Sequence, residues 1–151
     1  MKILITGTSG FVGSHLYASL LKYGNDIITI NRSDVSHENN LKCDLLDRDE
    51  TINSLKKLEG IDVVIHTAAI AHGESTPTGY NTETVNIAMT QNLLFGLRNH
   101  SIPIAIFMST ISIYGLDSPK NLTSKDPSPM SPYGKGKLNC EKLFLKSNFI
   151  F

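Results

Sequence analysis

Lys2-Ile3-Leu4-Ile5-Thr6-Gly7-Thr8-Ser9-Gly10-Phe11-Val12-Gly13 decides how the rest of the chain is read. The run Lys2–Thr6 meets no turn signal before Gly7, as expected of a strand buried on both faces of a parallel sheet. From Val12 to Tyr23 the apolar Val12, Leu16, Leu20 and Leu21 recur at helical spacing, and Gly24 stands where a left-handed helix cap is wanted. A strand therefore turns directly into a helix through three glycines. Gly7 suits the tight turn, Gly10 leaves the backbone open to close approach from outside, and Gly13 permits strand–helix contact.

Working outward, Asp26–Ile30, Ile61–His66 and Ile104–Met108 read as further strands, and Asp49–Leu58 as a weaker helix. A helix is expected from Thr82 to Asn99, with Thr82 as its cap and Glu83 favourable in its first turn. Leu116–Pro132 is rich in Asp, Ser and Pro and reads as an ordered surface loop, followed by a last helix over Tyr133–Lys146. Strands alternating with helices imply an α/β fold, a Rossmann-type doubly wound parallel sheet with helices on both faces. The length, 151 residues, suits one domain spanning 1–151.

Composition narrows the function. Hydrophobic residues at 40% and charged residues at 19% are the balance of a folded globular protein. Fourteen basic residues offset fourteen acidic ones, so no positive field collects nucleic acid or an anionic membrane. No apolar run approaches the roughly 20 residues of a membrane span and no signal peptide precedes the first strand, so the expected address is the cytoplasm. Cys43 and Cys140 lack CxxC spacing and His66 and His72 lack metal-pair spacing, so buried thiols, structural or surface histidines and no metal are expected.

Placed between strand and helix, the glycine turn reads as a dinucleotide site, with the helix N-terminus at Phe11 and Val12 presenting N–H groups and a partial positive charge to phosphates. The phosphate loop of ATPases does not occur. The second strand runs into Asn31 and Arg32: Asn31 can bond a ribose hydroxyl, and Arg32 can pair with a 2′-phosphate or point to solvent. Ser109 and Thr110 leave a buried strand at its C-terminal end, the edge where open α/β sheets bind ligands. Tyr133 and Lys137 share one helix face at i and i+4.

Taken in order, Thr6–Gly13, Asp44-Leu45, His66-Thr67-Ala68-Ala69, Val85-Asn86, Phe107–Gly115 and Ser131-Pro132-Tyr133-Gly134-Lys135-Gly136-Lys137 closely resemble the NAD-dependent epimerase/dehydratase family of extended short-chain dehydrogenases/reductases. The resemblance implies a nucleotide-sugar substrate and NAD or NADP as cofactor, with NAD favoured by the family and NADP left open by Arg32. By resemblance Tyr133 is the acid/base, Lys137 its activator and Thr110 the hydroxyl on the substrate's reacting oxygen. Asp44 corresponds to the residue that bonds the adenine amino group, Leu45 and Asn86 belong to cofactor-side motifs, and Ala68 and Ala69 line the cofactor. A free tyrosine titrates near 10, so a base working at pH 7 needs a shift of about 3 units, which a lysine ammonium and an oxidised nicotinamide can supply.

UDP-galactose epimerases carry a lysine where Ala71 stands and an aspartate where Asn31 stands, so that particular substrate does not follow from the resemblance. Family members are longer, and their C-terminal half builds most of the sugar-nucleotide pocket. The chain reaches Ser147-Asn148-Phe149-Ile150-Phe151, which reads as the opening of a next strand, so the C-terminal substrate domain is expected to be absent. The alternative to an enzyme is a non-catalytic NAD(P)-binding module or redox-sensing remnant. Family members often pair through two helices, which implies a homodimer through those near 82–99 and 133–146.

Overall fold

A computed structural model describes residues 1–71, 76–77, 81–115 and 127–147. His72, most of the turn-rich loop (116–126) and the terminal 148–151 lie outside the described residues. The elements are β1 (Lys2–Thr6), α1 (Phe11–Lys22), β2 (Asp26–Asn31), β3 (Asn40–Lys42), α2 (Arg48–Leu55), β4 (Val63–His66), α3 (Thr82–Leu97), β5 (Ile104–Phe107), a 3₁₀ turn (Ile111–Tyr114) and α4 (Pro132–Leu145). Five parallel strands lie in the order β3-β2-β1-β4-β5. The strand order reverses between β1 and β4, which places a crevice at their C-terminal ends.

Register brings those ends level. Thr6 lies beside Ile30 of β2 and His66 of β4, while Asn31 lies beside Lys42. The central strands β1, β2 and β4 bury nearly continuous runs because both of their faces are covered. Leu4, Ile28, Ile30 and Val64 join Val85, Leu93 and Leu97 of α3 in the larger core. Ile3, Ile5, Ile27, Val63 and Ile65 face Leu16, Tyr17 and Leu20 of α1 in the smaller one.

Element ends differ from the sequence reading in instructive ways. Asn81, not Thr82, caps α3: its side chain accepts the Thr84 N–H at 2.9 Å, and the Thr84 hydroxyl accepts the Asn81 N–H at 3.0 Å. This reciprocal box satisfies two donors at once, which displaces the cap by one residue. Pro132 is the first residue of α4 rather than the last of the loop, because a proline lacks the N–H that this position cannot use, and Ser131 caps it through the Gly134 N–H at 3.0 Å. Gly24, at φ +73°, follows the end of α1. The short edge strand β3 was not expected: Asn40-Leu41-Lys42 has no run long enough to show a period. Among the described residues no helix is long and apolar enough to cross a membrane.

Candidate functional site

A cavity of about 330 Å³ opens at the switch point, walled by the ends of β1, β2 and β4. Gly7, Gly10, Asn31, Arg32, Asp44, Leu45, Ala68 and Ala69 line it together, joined by Thr67 of the motif after β4 and by Ser9, Ser33 and Cys43, to which the sequence reading gave no cofactor role. The glycine turn is built by steric necessity. Gly7 sits at φ +77° with a built Cβ only 2.6 Å from the backbone of Ala68, and a Cβ on Gly13 would lie 2.3 Å from the Gly7 carbonyl oxygen. Gly10 differs: its nearest neighbour to a Cβ is the Gly7 oxygen at 3.4 Å, so the protein itself would tolerate a side chain there. What a Cβ on Gly10 would occupy is open space before the helix.

The helical ladder of α1 begins where the Ser14 N–H meets the Gly10 carbonyl at 2.9 Å, so the N–H groups of Phe11, Val12 and Gly13 precede it. Phe11 and Val12 are exposed, and neither they nor Gly13 line the cavity. An open cradle in front of unused helical donors fits a pyrophosphate. Acidic residues are absent from the first turn of α1, which leaves the positive end of the helix uncompensated.

Polar contacts hold each wall in place. The Asn31 carboxamide is buried; its oxygen accepts the Ser9 N–H at 3.0 Å, and its NH₂ donates to the Thr8 hydroxyl at 2.8 Å and the Asn40 oxygen at 2.9 Å. Asp44 makes a local turn, accepting the Leu46 N–H at 3.0 Å, while its own N–H donates to the Glu50 carboxylate at 3.0 Å. Asn92 of α3 donates to the Leu45 carbonyl at 2.8 Å. Asn86 is buried and does not line the cavity; its amide pairs with both backbone groups of Ile70, at 2.8 and 3.0 Å, and so fixes the segment that follows β4.

His66 organises the interior behind that segment. The Thr90 hydroxyl donates to the Cys140 sulfur at 3.2 Å, so it accepts from the imidazole Nε2–H at 3.1 Å. Nδ1 is then the acceptor for the Thr6 hydroxyl at 2.7 Å, and that hydroxyl accepts the Ala68 N–H at 3.2 Å. Burial, reinforced by the charge on Lys137, pushes the His66 pKa down to about 3, which matches the neutral ring this chain of bonds requires. One relay thus runs from the cavity wall at Ala68 to Cys140 on α4, and the Cys140 thiol ends it on the Asn86 carbonyl at 3.4 Å. Cys43 and Cys140 are free, buried thiols, and burial raises the pKa of each.

The residues expected to act on protons sit at the neighbouring strand end. Lys137 is 3% exposed, and its ammonium donates to the Met108 carbonyl at 2.7 Å while lying 4.7 Å above the Phe107 ring. Burial lowers its pKa to about 8, with Cys140 and Glu141 working in the opposite direction. Glu141, one turn on, accepts a hydrogen bond from Ser109. Tyr133 occupies the first turn of α4, half-buried, one turn before Lys137. Thr110 caps the 3₁₀ turn with its hydroxyl on the Ser112 N–H at 3.2 Å, which holds it at the exit of β5. Tyr133, Lys137 and Thr110 do not line the cavity; they flank the β5 exit, beyond the β4 wall.

The chain and its fold have relatives among known proteins. The model of the NAD dependent epimerase/dehydratase family matches residues 3–148. Among curated proteins, an uncharacterized UDP-glucose epimerase of Bacillus subtilis, YtcB, is 38% identical over 95% of this chain and 50% of its own length. Among solved structures, UDP-glucuronic acid 4-epimerase from Bacillus cereus in complex with NAD is 32% identical with a TM-score of 0.76, covering 96% of this chain and 52% of that one. UDP-glucose 4-epimerase from Bifidobacterium longum in complex with NAD+ and UDP is 26% identical with a TM-score of 0.80, covering 96% and 48%. The chain spans about half the length of the curated relatives it matches. With a five-stranded parallel sheet, a glycine-lined crevice at its switch point and a family match across nearly every residue, the chain belongs to the NAD dependent epimerase/dehydratase family.

Proposed function

We propose that this chain is the NAD(P)-binding and acid–base part of an enzyme that epimerises, dehydrates or reduces a nucleotide sugar. The observation that carries the reading is Lys137, a lysine buried to 3% exposure, tied to the β5 exit and one helical turn from Tyr133. A lysine is placed in such surroundings at a cost in solvation, and functional sites are where such perturbed groups gather.

The crevice fits a dinucleotide. Gly7 and Gly10 with the α1 N-terminus would hold the pyrophosphate, the end of β2 the adenosine ribose, Asp44 and Leu45 the adenine, and Ala68 and Ala69 the side toward the nicotinamide. When bound, the nicotinamide supplies the redox chemistry that no side chain here can perform. With a pKa of about 8, Lys137 is mostly an ammonium at pH 7, and its positive charge favours the Tyr133 phenolate. Tyr133 Oη would then take a proton from a sugar hydroxyl and return it, while Thr110 Oγ1 holds the reacting oxygen. Ser109 and Glu141 brace the same strand end.

The relatives' names include UDP-sugars, which makes a UDP-sugar the first substrate to try. Because the matched relatives are about twice as long, the sugar-binding wall is assigned to residues outside these 151. The same reading carries a homodimer through α3 and α4, which pack closely where Gly136 meets the Glu83 backbone. In the complete protein, Tyr133→Phe should lower UDP-sugar turnover by about 10²- to 10⁴-fold and leave cofactor affinity in place. Unchanged turnover overturns the role of Tyr133. Absence of any dinucleotide binding overturns the function.

A further inference from the structure

β5 ends at Phe107, and the Met108 N–H just beyond it still donates to the His66 carbonyl of β4 at 3.1 Å. From there the chain is held by α4. Lys137 donates to the Met108 carbonyl at 2.7 Å, and Glu141 accepts from the Ser109 hydroxyl. Two residues one helical turn apart thus pin two consecutive residues of the strand exit, and the next residue is Thr110, the hydroxyl assigned to the substrate's reacting oxygen. Tyr133, Lys137 and Glu141 follow one another at intervals of four and so lie along one side of the helix.

The charge on that side is unevenly compensated. Lys137 is 3% exposed, and the groups its ammonium touches, the Met108 carbonyl and the Phe107 ring at 4.7 Å, are neutral. Burial pulls its pKa down, opposed by Cys140 and Glu141. The same burial holds Cys140 as a thiol, and His66 of β4 is neutral. Of the other titratable groups on the packed elements, Glu83 of α3 accepts from the Asn139 amide at 3.4 Å and Tyr114 closes the 3₁₀ turn. Among the described residues, Glu141 is therefore the anion that acts on the ammonium at neutral pH, and it does so without a direct ion pair. A charge one step removed offsets desolvation without occupying the donors of the lysine.

We propose that Glu141 is a positioning residue of the acid–base site: through Ser109 it holds the β5 exit that carries Thr110, and its negative charge offsets the burial of the Lys137 ammonium. This rests on the reading of Tyr133, Lys137 and Thr110 as the proton-handling groups. The experiment, on the complete protein, follows the Lys137 side chain by NMR across pH and, beside it, the pH profile of UDP-sugar turnover with NAD. In wild type the Lys137 midpoint should lie at about 8, and turnover should fall above it as the ammonium that favours the Tyr133 phenolate is lost. Glu141→Gln keeps an acceptor for Ser109 and removes the charge, so the midpoint and the descending limb should move together to lower pH by about one unit. Glu141→Asp keeps the charge and should hold the midpoint near that of wild type. Ser109→Ala keeps the charge and loses the tie, and should lower kcat by about 10- to 100-fold at every pH with the midpoint in place. An unmoved midpoint in Glu141→Gln, with turnover lost equally at every pH or not at all, overturns the proposal, as does full turnover in Ser109→Ala. Turnover that survives Tyr133→Phe overturns the acid–base reading instead, and the Lys137 midpoint still decides whether the Glu141 charge acts on the lysine.

Discussion

The two faces of the sheet are covered unequally. On one, α2 and α3 close over Leu4, Ile28, Ile30 and Val64, and α4 adds Phe144 beside Phe107; Leu93, Leu97 and Phe144 are fully buried. On the other, among the described residues, α1 alone covers β1, β2 and β4 through Leu16, Tyr17 and Leu20. Ile104 and Ile106 of β5 stand in register with Val63 and Ile65 and so point to the α1 side, yet they are 43% and 45% exposed. Ala105, on the same strand but facing the other way, is 2% exposed. The closed face also holds the buried polar relay and the buried lysine, so it combines most of the packing free energy with the groups least comfortable there. The open face is energetically simple by contrast.

That contrast can be tested from its largest effect downward. The folded pKa of His66, about 3, lies below its ordinary value of 6.5, so the unfolded chain binds the proton first as pH falls. Stability should be complete above pH 6.5 and decline toward pH 3, by an amount on the order of 4–5 kcal/mol. Denaturant melts across that range check it, and the decline should be shallower in His66→Gln. If wild type and variant lose stability in parallel, the buried imidazole is not what makes the closed face acid-labile.

Leu93→Ala, which opens a void in the larger core, should cost about 2–5 kcal/mol in the same melts. A loss under about 1 kcal/mol would mean that this face is not tightly packed. Lys137 gives the alkaline counterpart. Its folded pKa, about 8, is below the ordinary 10.5, so the unfolded chain again holds the proton longer as pH rises. Stability should therefore increase between pH 8 and 10.5 by an amount on the order of 3 kcal/mol, and Lys137→Met should abolish that increase. The smallest effect belongs to the open face: Ile106→Ala, at a site already 45% exposed, should change stability by less than about 1 kcal/mol. A cost as large as that of Leu93→Ala would erase the distinction between the faces.

The amino-acid sequence by itself determined the elements whose signals are short in range. Lys2–Thr6 running into Gly7, the helical spacing of Leu16, Leu20 and Leu21, and Tyr133 one turn before Lys137 each rest on neighbours within a few residues, where period and turn chemistry act. The parallel sheet follows from alternation, and the family from the order of motifs. Tertiary structure alone decided what depends on groups brought together from afar. Thr6 meets His66 across 60 positions, and Thr90 meets Cys140 across 50, so a histidine readable only as structural or surface became the centre of a relay. The capping box moved the cap of α3 from Thr82 to Asn81, and pairing with β2 made a strand of three residues that have no pattern of their own. Burial of Lys137 and exposure of Ile104 and Ile106 were equally unreadable, because solvent access is set by which helix the chain lays over a residue, not by that residue's place in the sequence.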